Sequence, residues 1–120
     1  MGLTIAEVAQ RTGLTPHTLR YYERDGLMLH HVDRTPSGHR EYSDRDVTAI
    51  LMVARLRATG MPVREIRRYA ALVREGPGNE RERLEILEAH RERVLAQLAE
   101  VTENLRAVDQ KIDLYRGTLT

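Results

Sequence analysis

The 120-residue sequence contains no cysteine, no tryptophan and no phenylalanine, and its only aromatic side chains are five tyrosines. The absence of cysteine excludes disulfide bonds, thiolate metal sites and thiol-based redox sensing. The sequence has no apolar signal-peptide core and no run of about 18 apolar residues, so we expect neither export nor a membrane span. This pattern is typical of a cytoplasmic protein.

The sequence also lacks a strong excess of charge of either sign, since its formal net charge is +1. Residues 1–75 carry 12 basic and 9 acidic side chains, whereas residues 76–120 carry 7 and 9. Because this asymmetry is mild, a nucleic-acid partner has to be argued from sequence pattern rather than from overall charge.

Two short helices are predicted within the first 26 residues. Thr4 and Glu7 form a capping box at the start of the first helix, and Gly13 ends that helix. Thr15 is placed to cap the second helix, which ends at Gly26. Two short helices joined by a tight glycine-containing turn predict a helix-turn-helix.

Tyr21 and Tyr22 are adjacent in the second predicted helix. Neighbouring side chains of a helix point in different directions, so we expect one ring to pack inward and the other to face outward. We favour Tyr21 as the outward ring, where its hydroxyl can contact a phosphate.

The next segment, LMLHHVDRTPSGHREYS, has no helical periodicity and contains a Pro-Ser-Gly turn. It predicts a short β-hairpin, or wing, with its tip near residues 35–38. Ser43 and Asp46 form a second capping box and predict a helix to Gly60, and a further helix runs from near Pro62 to Gly76. The stretch GPGN, residues 76–79, is the predicted linker.

The C-terminal segment has the most regular pattern in the sequence, with seam positions at alternating steps of three and four. The seam consists of Leu84, Leu87, Arg91, Val94, Leu98, Val101, Leu105, Val108, Ile112 and Tyr115. Five heptads predict a coiled-coil helix over residues 80–116, followed by a tail at 117–120. The helix could fold back on the N-terminal domain, but a partner helix covers more of the seam, so we expect a homodimer.

The coiled-coil pattern bears on the direction of helix pairing and on the role of Arg91. We expect antiparallel pairing, because it sets apart the two recognition helices, which must enter successive major grooves. Arg91 is open to two interpretations. It either fixes the register of the coil, opposite a glutamate of the partner, or extends from the edge of the seam into water.

Three segments, TIAEVAQRTGLTPHTLRYYERDGL, DRTPSGHREYSDRDV and LRATGMPVREIRRY, together resemble the MerR family of winged-helix transcriptional regulators. The resemblance covers about residues 3–75, and the coil occupies the family's dimerisation position. It implies a mostly α-helical fold with a winged helix-turn-helix, a small β-hairpin wing, two supporting helices and a long antiparallel coiled-coil helix. It also implies a homodimer that binds a pseudo-palindromic operator and distorts the promoter spacer so that RNA polymerase can engage.

The resemblance implies roles for particular residues of this chain. The residues implied to face DNA from the second helix are Thr15, His17, Thr18, Arg20 and Tyr21. In the wing, Arg40 and Tyr42 are implied to grip the backbone, while Arg34 and Gly38 shape the loop. Arginine commonly forms paired hydrogen bonds with guanine. Residues 40 and 42 share one face of a regular strand, because side chains alternate along it. The alternatives are a solvated arginine and an ordinary exposed hairpin.

The C-terminal segment also resembles a short-chain branch of the family known for responses to aldehydes and nitrosative stress. Members of that branch usually carry a cysteine in the helix after the wing, and metal-sensing members carry a cysteine pair after the coil. This chain has no cysteine. We therefore carry over the DNA-binding part of the resemblance and not these signals.

The remaining candidates for chemistry are the five histidines, His17, His30, His31, His39 and His90. They lack the spacing of a metal site, and no nucleophile–base cluster is present, so we predict no metal, no cofactor and no enzyme activity. The predicted function is sequence-specific transcriptional regulation by a DNA-binding homodimer. The alternatives are an architectural, excisionase-like protein that bends DNA, and a coiled-coil protein-interaction module.

Overall fold

The computed structural model describes residues 2–120. In chain order the elements are α1 (Ile5–Thr12), α2 (Pro16–Arg24), β1 (Asp33–Arg34), β2 (Arg40–Glu41), α3 (Asp44–Ala58), α4 (Val63–Glu75) and α5 (Glu80–Leu119). The mostly helical fold with a small antiparallel hairpin agrees with the predicted fold class. None of the helices in this part of the chain is both long and apolar enough to cross a membrane.

The predicted capping box at the start of α1 is present. The Thr4 hydroxyl accepts a hydrogen bond from the Glu7 amide at 3.2 Å, and the Thr4 amide donates to the Glu7 carboxylate at 2.9 Å. Gly13 ends the helix in the left-handed conformation, with φ of 77° and its amide bonded to the carbonyl of Ala9. Only glycine adopts that backbone conformation at no steric cost, so the turn into α2 depends on it.

Helix α2 begins as the sequence predicts, with Thr15 as its cap and Pro16 in its first position. The Thr15 hydroxyl accepts from the Thr18 amide at 3.1 Å. Leu19 and Tyr22, three residues apart and so on the same side of the helix, are 1% and 4% exposed. This inward pair packs α2 into the core and leaves the opposite face to solvent.

The wing is a two-stranded antiparallel hairpin, in which Asp33 pairs with Glu41 and Arg34 with Arg40. Tyr42 follows β2 and forms a separate bridge with Leu3, through backbone hydrogen bonds of 2.7 and 2.9 Å. This bridge ties the N-terminus to the end of the wing. Two-residue strands are too short to be stable alone, so the wing needs support from the rest of the fold.

Helices α3 and α4 supply much of the core, and α1 packs against both α2 and α3. The residues of α3 and α4 that are buried and apolar are Val47, Ala49, Ile50, Val53, Leu56, Ile66 and Ala70. Ser43 caps α3 through the predicted box, since its hydroxyl accepts from the Asp46 amide and its own amide donates to the Asp46 carboxylate.

The chain divides into two compact units, the first ending at Ile86 and the second running from Leu87 to Thr120. The boundary therefore differs from the predicted linker at residues 76–79. Asn79 and Arg83 explain the difference, because both donate to the backbone carbonyl of Leu72, at 2.9 and 3.4 Å. They tie the start of α5 to α4, and Ile86, which the seam pattern passes over, is only 7% exposed.

In the second unit, α5 continues to Leu119 and includes most of the predicted tail. The Thr118 hydroxyl bonds back to the carbonyl of Leu114 at 3.0 Å, and Gly117 does not interrupt the helix. Most seam positions of α5 carry exposed side chains. Leu87 and Val94 are half-buried, and Arg91 is exposed, with its guanidinium 4.0 Å from the carboxylate of Glu92.

Candidate nucleic-acid interface

The solvent-facing side of α2 carries the residues predicted to face DNA. Thr15, His17 and Arg20 are exposed, and Thr18 and Tyr21 are half-buried. The period of the helix places His17, Arg20 and Tyr21 opposite Leu19 and Tyr22, which occupy the core, while Thr15 and Thr18 lie at the N-terminal end of α2. The result is a polar surface that includes the exposed Arg20, of the kind that contacts base edges and phosphates.

The paired tyrosines of α2 differ in burial. Tyr22 is buried, and burial raises its pKa, whereas Tyr21 is half-buried. The two ring centroids lie 6.1 Å apart at a tilt of 55°, and the Arg24 guanidinium lies 5.8 Å from the centroid of the Tyr21 ring. The inward orientation of Tyr22 is confirmed, and the contact of Tyr21 with DNA stays a prediction.

The tip of the wing is a closely bonded turn. Arg34 donates from Nη1 to the carbonyl of Gly38 at 3.1 Å, across the base of the loop. The Ser37 hydroxyl lies 3.0 Å from Nδ1 of His39, and the His39 amide donates to the Thr35 hydroxyl at 3.2 Å. Gly38 has φ of 88°, which favours glycine. These contacts are what the predicted loop-shaping roles of Arg34 and Gly38 require.

Glu23 connects α2 to the wing, and the sequence analysis missed it. One carboxylate oxygen accepts from Nε of Arg40 at 2.5 Å, and the other accepts from Nη2 of Arg34 at 3.2 Å. The hydrogen bond that Arg40 donates to Glu23 raises the pKa of Arg40 further above its ordinary value. The two pairs span 17 and 11 residues, so no local sequence period reveals them.

A cleft of about 270 Å³ separates α2 from the wing. The residues that line it are Thr4, Ile5, Arg20, Gly38, His39 and Arg40. Two guanidiniums and one imidazole line this cleft, and the Glu23 carboxylate lies behind it on Nε of Arg40. Because arginine binds phosphate with several donors at once, the cleft has the chemistry of a site for a DNA backbone phosphate.

Tyr42 is not part of this surface, and its predicted grip on the DNA backbone is wrong. It is 1% exposed, and its hydroxyl has no hydrogen-bond partner among residues 2–120. Burial raises its pKa. The bridge to Leu3 joins Tyr42 to the N-terminal segment, where its side chain is buried. Its role is in the core.

The C-terminal end of α2 is held by two arginines of α4. Arg67 donates from Nε to the carbonyl of Asp25 at 2.8 Å. Arg74 donates from Nη1 to the carbonyl of Gly26 at 3.2 Å and also to the carbonyl of Met28. Cations at a helix C-terminus satisfy free carbonyls and oppose the helix dipole. These contacts fix the orientation in which α2 presents its exposed face.

Two of the five histidines line a cleft beside an aspartate. A second cleft, of about 430 Å³, has His30, His31 and Asp33 among its lining residues. Among residues 2–120, however, no group of three or more His, Cys, Asp or Glu side chains could hold a metal ion. Burial, and then the nearby Arg45, lowers the pKa of His30.

A helix-turn-helix with an exposed, polar second helix and an adjoining β-hairpin wing defines the winged-helix class of DNA-binding proteins. The comparison with known families agrees with this class. Residues 3–72 match the MerR HTH family regulatory protein family, and residues 47–112 match the family described as MerR, DNA binding. The chain therefore belongs to the MerR family of DNA-binding transcriptional regulators.

Individual relatives extend the similarity over nearly the whole chain. An uncharacterised HTH-type transcriptional regulator of Haemophilus influenzae is 32% identical over 116 residues, which are 97% of this chain and 85% of the relative. The crystal structure of a MerR family transcriptional regulator from Listeria monocytogenes has a TM-score of 0.90 at 34% identity, and the match covers 94% of this chain and 85% of that chain.

A third comparison concerns a protein in complex with DNA. The crystal structure of HiNmlR, a MerR family regulator lacking the sensor domain, bound to promoter DNA, has a TM-score of 0.87 at 31% identity. The match covers 97% of this chain and 91% of that chain. The fold of this chain is therefore similar to one seen on a promoter.

Proposed function

We propose that the protein acts as a homodimer, binds a pseudo-palindromic operator within a promoter, and distorts the DNA between the half-sites. The observation that carries the DNA contact is the exposed face of α2 beside the basic cleft, with Arg20 belonging to both. In this arrangement α2 enters the major groove, and Arg40 binds an adjacent phosphate.

The second unit supports the dimer. Six of its seam residues are between 40% and 62% exposed, although they are apolar or aromatic: Leu98, Val101, Leu105, Val108, Ile112 and Tyr115. A continuous exposed apolar stripe of this length is typical of a coiled-coil seam. The 40-residue α5 is about 60 Å long, and antiparallel pairing would set two recognition helices apart for successive major grooves.

Distortion of the operator and engagement of RNA polymerase are supported by membership of the MerR family. Binding of this kind depends on how easily the central base pairs, which the protein does not touch, can be bent and untwisted. We place the protein in the cytoplasm with the promoter DNA on which it acts. Its relatives are transcriptional regulators, and we propose that it has no enzyme activity of its own.

The test is binding of the purified protein to a fluorescent duplex from upstream of its own gene, followed by footprinting and a salt titration. We expect Arg20→Ala to weaken specific binding about 10- to 100-fold, the cost of losing one multidentate arginine contact. Arg106→Ala is the matched control, because Arg106 lies off the seam of α5 and is paired with Glu103 at 3.1 Å. It removes the same charge and should change binding less than about twofold.

The outcomes separate the candidate functions. A footprint over an inverted repeat, with a cleavage-sensitive centre that overlaps a promoter, supports the proposal. Equal binding to random DNA supports the architectural alternative. Absence of salt-dependent binding to any duplex contradicts the DNA-binding role and favours the protein-interaction module. Equal losses from Arg20→Ala and Arg106→Ala show only a general charge effect.

A further inference from the structure

Glu23 is the residue through which α2 and the wing share charge-assisted hydrogen bonds. Its side chain is 25% exposed, and that of Arg40 is 28% exposed, so both are partly shielded from water. One oxygen serves each arginine, and Arg34 also binds the carbonyl of Gly38. The hairpin has only two residues in each strand, and these bonds supply the support that such a short sheet needs.

The two arginines are held in different ways. Arg34 uses both terminal nitrogens, one on Gly38 and the other on Glu23, so its guanidinium is committed to the wing. Arg40 binds Glu23 through Nε, and within residues 2–120 its terminal nitrogens make no hydrogen bond. A guanidinium presents five N–H donors in a fixed plane. Glu23 therefore orients the plane of Arg40 while leaving four donors available at the cleft.

We propose that Glu23 is the positioning residue for the wing's phosphate contact: it fixes Arg40 so that Arg40 and Arg20 bind one backbone phosphate in the cleft between α2 and the wing. This inference rests on the proposed DNA-binding function and adds a residue that touches no DNA. The ligand group is a phosphate of double-stranded DNA, read by charge and geometry rather than by sequence.

If only net charge matters, removal of Glu23 should change DNA affinity in the opposite direction from that expected if Glu23 positions Arg40. A carboxylate close to a DNA phosphate repels it, so removal of Glu23 should strengthen binding if only charge matters. If Glu23 positions Arg40, its removal leaves a flexible Arg40 side chain that DNA has to order, whereas Arg34 keeps its bond to Gly38. The ordering of each rotamer-rich side chain costs about 3- to 10-fold in affinity, which exceeds the gain from one screened charge.

The test is a double-mutant cycle between Glu23→Ala and Arg40→Ala. The probe is a duplex recovered by selection of the wild-type protein on a random DNA pool, which requires no knowledge of the regulated gene. We expect Glu23→Ala to weaken binding about 10-fold despite the lost negative charge. Arg40→Ala should then cost far less in the Glu23→Ala background than in the wild type. The salt slope of Glu23→Ala should also fall toward that of Arg40→Ala.

Glu41→Ala is the matched control, because Glu41 is next to Arg40 but accepts from the amide of Gly2 at 2.8 Å instead of from an arginine. It removes the same charge and should leave affinity unchanged or slightly higher. Glu23→Gln retains one acceptor oxygen and should give an intermediate affinity. It also carries the test if Glu23→Ala does not fold.

Two results overturn the inference. One is that Glu23→Ala, or Glu23→Gln in its place, binds as tightly as Glu41→Ala. The other is that the losses from Glu23→Ala and Arg40→Ala simply add. A measurement without DNA separates this failure from failure of the proposed function: the Nε–H proton of Arg40, observed by NMR, should exchange slowly in the wild type and rapidly in Glu23→Ala. Rapid exchange in the wild type overturns the positioning role whether or not the protein binds DNA.

Discussion

The two units of the molecule bury their apolar side chains to very different extents. In the first unit Val8, Val53, Ile66 and Ala70 are completely buried. In the second unit, no described residue from 91 to 120 is buried, and the exposed seam of α5 is as apolar as a core. The first unit therefore has a hydrophobic core of its own, and the second lacks one within a single chain.

This difference shows that an amphipathic helix can bury its apolar stripe within its own chain or leave it exposed for another helix. In α4 the apolar stripe is covered by the same chain, and Ile66 and Ala70 are buried. In α5 beyond residue 90 the stripe is left exposed, and its burial requires another helix. The following predictions test whether the core of the first unit and the seam of the second are energetically separate.

The largest effect is expected from a charge placed in the seam. Leu105→Glu should cost about 3–5 kcal/mol for each chain of the proposed dimer, because an unpaired carboxylate would be buried. The dimer dissociation constant should rise at least about 1,000-fold, measured by sedimentation equilibrium. Gln110→Glu is the control, since it adds the same charge away from the seam. Dimers of unchanged stability in Leu105→Glu would show that the seam is not the interface.

The next effect compares one substitution in the two units. Ile66→Ala should lower the free energy of unfolding by about 2–5 kcal/mol, because it leaves a cavity in a core whose Ile66 is fully buried. Ile112, in contrast, is 40% exposed. For Ile112→Ala we expect a smaller loss that depends on protein concentration, because it acts through the dimer. Urea unfolding at several concentrations measures both, and a concentration-independent loss for Ile112→Ala would contradict the separation.

The smallest effect is a pH dependence that arises in the first unit. The pKa of His30 is lowered in the folded protein, so the unfolded chain binds a proton more readily. Stability from this group is therefore present above the unfolded pKa and is lost as the pH falls. Between about pH 7.5 and 5.5 the wild type should lose more stability than His30→Asn. Above that range the two should differ by a constant amount, and parallel curves throughout would rule out the contribution of His30.

Most helix boundaries could be predicted from the sequence because the signals for them are local. The capping boxes at Thr4 and Ser43 each use partners three residues apart, and both are present in the structure. The seam of α5 is a period of one helix, so its start at residue 80 could be predicted without any tertiary contact. The fold class followed from the order of these local elements.

The candidate site was predicted less completely, because its contacts join distant parts of the chain. Glu23 reaches residues 11 and 17 positions away, and the sequence offers no period that links them. Tyr42 was predicted to be exposed, and this prediction was wrong because its backbone partner, Leu3, is far from it in the sequence. Local alternation would expose its side chain, but the tertiary bridge buries it. The face of α2 was predictable because a single helical period sets it.

The contacts of Glu23 also have a consequence for inheritance. One carboxylate serves two arginines, so loss of Glu23 leaves both arginines without it, and loss of either arginine leaves one oxygen of Glu23 without its donor. Residues 23, 34 and 40 should therefore vary together among descendants of this protein. If the wing of a relative is transplanted into this protein, it should stay ordered only when the α2 residue that accepts hydrogen bonds from its arginines is transplanted with it.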